Sequence, residues 1–454
     1  MRSFDVVVIG AGPGGEVAAG RLAEAGLNVA IVEGDKVGGE CSYYACMPSK
    51  ALLRPGELLA DVRRVPGAAG AVTGPLDVPA VLRWRDELIG DLDDSGQLPW
   101  LRERGVTLVR GWGRLAGEKR VVVGEEILEA RRAVILATGT RAVLPQADGL
   151  AAARPWTNRE ATTSRTIPAS LIVIGGGVVG VEMTQAFTSL GSRVTLVEGD
   201  RGLLPNEEDF VRSEVSASLT EQGVDIRAGQ RAHAVRRAAG RVTVTLSDGS
   251  AVTADEVLVA AGRAPQAAGL GLETVGGVAS GFVAVDERMR VPGLDWLYVV
   301  GDLNGRALFT HMAKYQAAIA AGDILGRDMV VQHVADGVGS PRVIFTDPQV
   351  AAVGHTTATA AAAGLRVRVV DVPTDGNAGG AFTGGARGTS RFLVDEDRDL
   401  LVGVTLTGTA VSEFLQAATI AVVGEVPIRR LRHAIPAFPT RSEIWLHLFN
   451  ALGV

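Results

Sequence analysis

Twice in this chain a β-branched run ends on a glycine-rich turn that opens a helix, and few folds accept that arrangement. Residues 4–9 run into Gly10-Ala11-Gly12-Pro13-Gly14-Gly15, and an Ala-rich helix follows through Glu24. Gly26 stops that helix, and residues 27–32 read as a second strand ending in Glu33. The glycines at 10, 12 and 15 let the backbone approach a pyrophosphate resting on the helix N-terminus. Glu33 falls where a carboxylate binds the ribose hydroxyls of an adenosine. The pattern returns at Ser170–Ile174, which breaks on Gly175-Gly176-Gly177-Val178-Val179-Gly180 before a helix to Leu190. Gly191 stops the helix, and residues 194–197 lead to Glu198. Glu198 follows Gly180 by 18 residues, as Glu33 follows Gly15. Two complete units imply two bound dinucleotides. An acid at 198 favours NADH, because it repels a 2′-phosphate; Arg201 close by keeps NADPH open as the lesser alternative.

The only two cysteines, Cys41 and Cys46, are separated by four residues within Gly38-Gly39-Glu40-Cys41-Ser42-Tyr43-Tyr44-Ala45-Cys46-Met47-Pro48-Ser49-Lys50. Five helical steps rise about 7.5 Å, whereas a disulfide needs its Cα atoms within about 7 Å. A straight helix cannot close such a pair, but a loop entering a helix's first turn can. The apolar Ala51-Leu52-Leu53 predicts a helix beginning near Cys46, whose N-terminal dipole lowers the thiol pKa. Inert core thiols are the plain alternative; the glycines before the pair and Lys50 after it favour redox use.

Composition narrows the setting. The 454 residues suggest about three domains at roughly 150 residues each, and 47% hydrophobic with 21% charged residues describes a folded chain. A net charge of −6 and a pI near 5.7 give no case for nucleic acid or an anionic membrane. No apolar run approaches the roughly 20 residues that span a bilayer, and no signal-peptide pattern precedes the first strand. Two cysteines in so long a chain fit a reducing compartment; a cytoplasmic location is expected.

Between the two units, residues 53–104 read as mostly helical, and strands are expected at 106–109, Arg120–Val123 and 132–137. The last closes on Thr138-Gly139-Thr140. A strand at 255–261 precedes Gly262-Arg263-Ala264-Pro265, and residues 296–302 deliver Asp302 at a turn, ahead of a helix over Thr310–Ile324. With a first dinucleotide site argued at Gly10–Gly15, Asp302 reads as a carboxylate for its pyrophosphate region, or for the ribitol if that dinucleotide is FAD.

In this order the motifs resemble the class I pyridine nucleotide–disulfide oxidoreductases, which include dihydrolipoamide dehydrogenase, glutathione reductase and mercuric reductase. The resemblance covers essentially the whole chain. It takes in both GxGxxG turns, the C-x4-C with Pro-Ser-Lys, the Thr-Gly turn, Gly-Arg-x-Pro, Gly-Asp, and Phe345-Thr346-Asp347-Pro348-Gln349-Val350-Ala351-Ala352-Val353-Gly354. It implies an α/β fold with two Rossmann-like dinucleotide-binding domains and a C-terminal α+β dimerisation domain. The segments expected are 1–155 and 274–336 for FAD, 156–273 for NAD(P), and 337–454 for the interface of a homodimer. It implies FAD held by Gly10, Gly12, Gly15, Glu33, Thr138, Gly139 and Asp302, NAD(H) held by Gly175, Gly177, Gly180 and Glu198, and Arg263 of the Gly-Arg-x-Pro segment as a further cofactor-binding residue. It also implies that Cys46 is the flavin-side thiolate, that Cys41 exchanges with substrate, and that Lys50 sits near the flavin with Glu182 as its partner. The glycine-rich 375–389 stretch, framed by neither strand nor helix, is expected to be a flexible surface loop.

One departure bears on the substrate. The family ends in His-Pro-Thr-x-x-Glu, whose histidine serves the outer cysteine across the dimer; here the stretch is Phe438-Pro439-Thr440-Arg441-Ser442-Glu443. Glu443 remains as a catalytic candidate, but a phenyl ring moves no proton, a role typically contributing about 10²–10⁴-fold. His433, His311, Tyr43 and Tyr44 are the candidate substitutes. No second cysteine pair supports mercuric reductase. Three functions stay open: a reductase or oxidase of a small dithiol or disulfide, an NAD(P)H quinone reductase working directly from the flavin, and a nucleotide-binding redox sensor with little turnover.

Overall fold

The computed structural model describes residues 1–454 apart from 201, 278, 279, 333 and 386. The Arg201 part of the nucleotide-preference reading therefore lies outside the described residues. The chain forms two compact units, Met1–Pro48 with Asp86–Val143 and Arg263–Gly337, and Ser49–Arg85 with Leu144–Gly262 and Val338–Val454.

The first unit is built on one mostly parallel sheet. Its path runs Leu294–Val299, Glu126–Leu136, Arg2–Ile9, Val29–Glu33, Thr107–Arg110, all parallel, with Arg290–Val291 antiparallel at one edge. The first strand thus has a neighbour on each side, and its C-terminal end is the point where strand order reverses, the customary crevice for a ligand in such sheets. Alternation decides the packing. Val6 and Val8 face the helices, against Ala18, Ala19 and Leu22 of Pro13–Glu24 and Ala317, Ala320 and Ala321 of Thr310–Ile324. Val7 and Ile9 face Val32, Leu115, Val121 and Leu297 on the other side. Burial on both faces is why the strand reads as an unbroken apolar run. A Cβ on Gly14 would stand 3.4 Å from the Ala313 Cβ, so small residues let those two helices close on each other.

The second unit repeats the device. Asp225–Ala228, Arg193–Glu198, Ser170–Ile174 and Glu256–Val259 make a parallel sheet, again reversing order at its first strand. Helix Val178–Ser189 follows the glycine turn and packs Val181 and Phe187 into the core with Leu52, Leu53, Leu171 and Leu196. The same unit holds a five-stranded antiparallel sheet, Arg342–Ile344, Gln349–Gly354, Leu400–Gly408, Thr389–Asp395 and Val367–Pro373. Helices Leu415–Val423 and Ile444–Leu452 complete this C-terminal α+β portion. The α/β class with two Rossmann-like sheets and an α+β C-terminal part is thereby observed.

Three local expectations change. The approach to the cysteines is not an open loop but a short helix, Gly39–Tyr43, entered through Gly38 and Gly39 at φ +109° and +61°. The strand expected at 132–137 starts earlier, at Glu126, because its first half pairs with Arg120–Val123. The 375–389 stretch is not a flexible connector: Gly379 and Gly380 are buried within Ala378–Ala381, and a Cβ on Gly379 would lie 2.1 Å from the Thr440 carbonyl carbon. Gly379 thus serves close approach to the chain's C-terminal segment.

Candidate functional site

Each fingerprint glycine has a distinct steric task. Gly10 sits at φ +102°, and a Cβ there would meet the Ala137 carbonyl oxygen at 2.4 Å; one on Gly15 would meet the Gly10 oxygen at 1.9 Å. A Cβ on Gly12 would find only the Gly39 Cα, at 4.0 Å. The first and third glycines are therefore consumed by the turn itself, and the second leaves an open cradle at the start of helix Pro13–Glu24. The second fingerprint shows the same division. Gly175 is at φ +112°, Gly180 would collide with the Gly175 oxygen at 1.8 Å, and Gly177 would meet nothing within 4 Å. Two cradles that a Cβ would fill, each at a helix N-terminus, fit the pyrophosphates of two dinucleotides.

The acids at the strand ends are tied to those turns. Glu33 accepts N–H bonds from Ala11 and Asp35, both at 2.7 Å. Burial pushes its carboxyl upward, against the two N–H groups that favour the charged form. Glu198 accepts from the Gly176 N–H and, at 2.7 Å, from the Asp200 N–H. Both carboxylates are aimed and held by backbone N–H groups of the turns beside them.

Across the first unit's crevice, the Thr140 hydroxyl donates to Asp302 Oδ2 at 2.7 Å and accepts from Arg263 Nε at 2.7 Å. Burial raises the Asp302 carboxyl, opposed by that hydroxyl and by Arg263. Thr138 exchanges bonds with Gln266, whose Nε2 donates to the Thr138 carbonyl at 2.9 Å, and Gly139 turns between them at φ +70°. Arg263 belongs to the first unit, where it braces Thr140 and stands 3.7 Å from Glu40. Thr140 and Gln266 were not singled out from sequence; their partners lie more than a hundred residues away in the chain.

Cys41 and Cys46 are both half-buried. Cys41 lies in Gly39–Tyr43, and Cys46 is the first residue of the 19-residue helix Cys46–Arg64. The Thr310 hydroxyl stands 3.4 Å from the Cys46 sulfur. A hydrogen bond to Cys46 and burial both push the Cys41 thiol up, while Thr310 and Lys314 pull the other way. Cys46, at the N-terminus of that long helix, is the sulfur whose thiolate the helix dipole favours.

Lys50 Nζ pairs with Glu182 Oε2 at 2.7 Å and lies 4.7 Å from the Phe345 ring centroid. Glu182 is 5% exposed at its side chain, and its other oxygen accepts the Phe345 N–H at 3.0 Å. Glu443 ends the turn Arg441–Glu443, with one buried carboxylate oxygen lacking any hydrogen-bond partner among the described residues. Phe438 is 77% exposed. Of the candidate substitutes for a base, His433 is exposed, and His311 is stacked on Phe309 at 5.3 Å between centroids. Tyr43 is buried, and burial with Asp94 nearby pushes its phenol up to about 12, further from use as a base near neutral pH. Among the described residues no cluster fit for a metal ion occurs, and no helix is long and apolar enough to cross a membrane.

Comparison with known proteins bears on this arrangement. Residues 4–322 match the family model described as pyridine nucleotide-disulphide oxidoreductase, and residues 340–448 match the dimerisation domain of the same name. A dihydrolipoyl dehydrogenase of Thermus scotoductus is 32% identical over 462 residues, covering 100% of this chain and 98% of the relative. The structure of LpdA from Mycobacterium tuberculosis superposes with a TM-score of 0.86 at 26% identity, covering 98% of each chain. The HOCl-induced flavoprotein disulfide reductase RclA from Escherichia coli shares the fold at a TM-score of 0.87 and 24% identity, over 98% of this chain and 99% of that one.

Proposed function

The chain belongs to the pyridine nucleotide-disulphide oxidoreductases, and from that premise we propose that it passes electrons between NADH and a small dithiol or disulfide through Cys41 and Cys46. As a family member it is an FAD-dependent enzyme that carries a dimerisation domain. Bound FAD supplies the two-electron relay between nicotinamide and sulfur. The observation that carries the reading is the dithiol itself: two half-buried sulfurs, Cys41 in the short helix Gly39–Tyr43 and Cys46 at the start of the long helix after it, in the unit that holds the first glycine cradle.

The residues take these roles. Gly10, Gly12, Gly15 and Glu33 bind FAD, with Thr138, Gly139 and Asp302 positioning it; Gly175, Gly177, Gly180 and Glu198 bind the nicotinamide nucleotide. The fixed Glu198 carboxylate supports NADH over NADPH. Arg263 orients Thr140 and Asp302 rather than touching the nicotinamide nucleotide. Lys50, aimed by Glu182, supplies a cation that stabilises electron-rich reduced states. Cys46 is held as thiolate, and Cys41 exchanges with the substrate. The dimerisation domain supports a homodimer, in which Glu443 retains its place without a histidine partner at 438. The segments 1–155, 156–273, 274–336 and 337–454 are the working division, and a cytoplasmic location accords with the cysteine usage.

Phe438 favours one second reading, an NADH quinone reductase that does not need dithiol proton transfer. Anaerobic NADH oxidation with lipoamide and then with a naphthoquinone separates the two. Lipoamide turnover lost in Cys41→Ser supports the dithiol enzyme. Lipoamide inert with quinone turnover unchanged in Cys41→Ser supports the second reading and sinks the first.

A further inference from the structure

Thr310 opens the helix Thr310–Ile324, which is capped at Phe309 without any side-chain bond. Its hydroxyl is thus not engaged in capping the helix; it lies 3.4 Å from Cys46 Sγ, in a contact where either atom can donate. Thr310 also works against the upward push that Cys46 exerts on the Cys41 thiol. Lys314 stands one turn along the same helix face and adds positive potential at Cys41. Helix geometry alone would accept valine at 310, so the fold does not require the oxygen.

We infer that Thr310 is a catalytic residue whose hydroxyl donates to the Cys46 sulfur and stabilises it as thiolate in the reduced pair, leaving the pair's single proton on Cys41. The inference deepens the dithiol reading and rests on it.

Several charged groups also bear on the pair. Lys314 acts from the same helix as Thr310, and Glu16, on Pro13–Glu24, interacts with Lys314 and Tyr43. Glu40 precedes Cys41 and stands 3.7 Å from Arg263. None of these changes when the Thr310 hydroxyl alone is removed. The test is iodoacetamide alkylation of the reduced, FAD-loaded protein without oxygen, from about pH 5 to 10, with mass spectrometry assigning each cysteine. Thr310→Val is expected to raise the Cys46 alkylation midpoint by about one to two pH units, the worth of a hydrogen bond to a charged group. Thr310→Ser is expected to restore it. A Thr310→Val midpoint equal to wild type, or a Thr310→Ser midpoint that follows valine, overturns the assignment. No dithiol substrate enters the assay, so inert lipoamide with a shifted midpoint would count against the proposed function alone. Lipoamide turnover with an unmoved midpoint would count against Thr310 alone.

Discussion

The two non-equivalent glycines of the second fingerprint allow a decisive pair of substitutions. At Gly177 the backbone is extended, φ −75° and ψ −173°, which any residue adopts, and an added Cβ meets nothing within 4 Å. Gly177→Ala gains about 0.4–1 kcal/mol by restricting the unfolded chain, and loses a similar amount because alanine is a poor helix N-cap. Its net stability change should fall within about 0.5 kcal/mol of zero. At Gly180 the new Cβ would stand 1.8 Å from the Gly175 oxygen. Ordinary contact needs more than an ångström of further separation, and overpacking of that kind costs about 3 kcal/mol or more. Binding should respond in a different way. The methyl of Gly177→Ala fills the cradle and separates a phosphate from its N–H donors, losing one charge-assisted hydrogen bond of about 1.5–3 kcal/mol, or about 10- to 100-fold in NADH affinity. Urea unfolding and NADH titration of the FAD-loaded variants measure both quantities. Gly177→Ala protein that binds NADH like wild type, or Gly180→Ala protein as stable as Gly177→Ala, would refute the division of labour among the glycines.

Two further perturbations follow from the described contacts. Glu182→Ala removes the acceptor of both Lys50 and the Phe345 N–H; Lys50 is partly solvated, so a loss of about 1–3 kcal/mol is expected in denaturant unfolding, and Glu182→Gln should recover part of it. Glu16 has its carboxyl raised to about 7, chiefly by burial, above the ordinary glutamate value near 4.5. A raised carboxyl gives stability that is full below the unfolded pKa and lost as pH climbs through the folded one, so wild type should weaken between about pH 4.5 and 7. Glu16→Gln should flatten that interval by at most about 3 kcal/mol, read as the difference in unfolding midpoint between acid and neutral buffer; a slope equal to wild type would remove Glu16 as its cause.

Much of the fold was legible because its signals are local. Ser170–Ile174, Arg120–Val123 and Thr310–Ile324 have the limits expected from sequence, since apolar runs and glycine stops lie within a few residues of one another. The steric tasks of Gly10, Gly15, Gly175 and Gly180 are local in the same way. Other features depend on distant partners. Thr140 meets Asp302 across 162 positions, and Cys46 meets Thr310 across 264; no periodicity announces either contact. Arg263 is another such case: its strand pairs with Thr140–Ala142, far away in the chain. The 375–389 stretch misled because glycine permits both looseness and close approach, and only the position of Thr440 tells which.

The double tether on each strand-end acid has a consequence for re-engineering coenzyme choice. Glu198 does more than face a ribose: it also holds the Gly176 and Asp200 amides in place. Replacing it with arginine, the obvious change toward a 2′-phosphate, installs a donor where two donors already point and leaves both amides without an acceptor. Preference for the phosphorylated coenzyme is thus better sought by adding positive charge from a neighbouring strand while Glu198 stays, or by supplying a new side-chain oxygen to hold the loop. In this chain the residue that discriminates between coenzymes is also part of the scaffold, and the two duties have to be separated before either is altered.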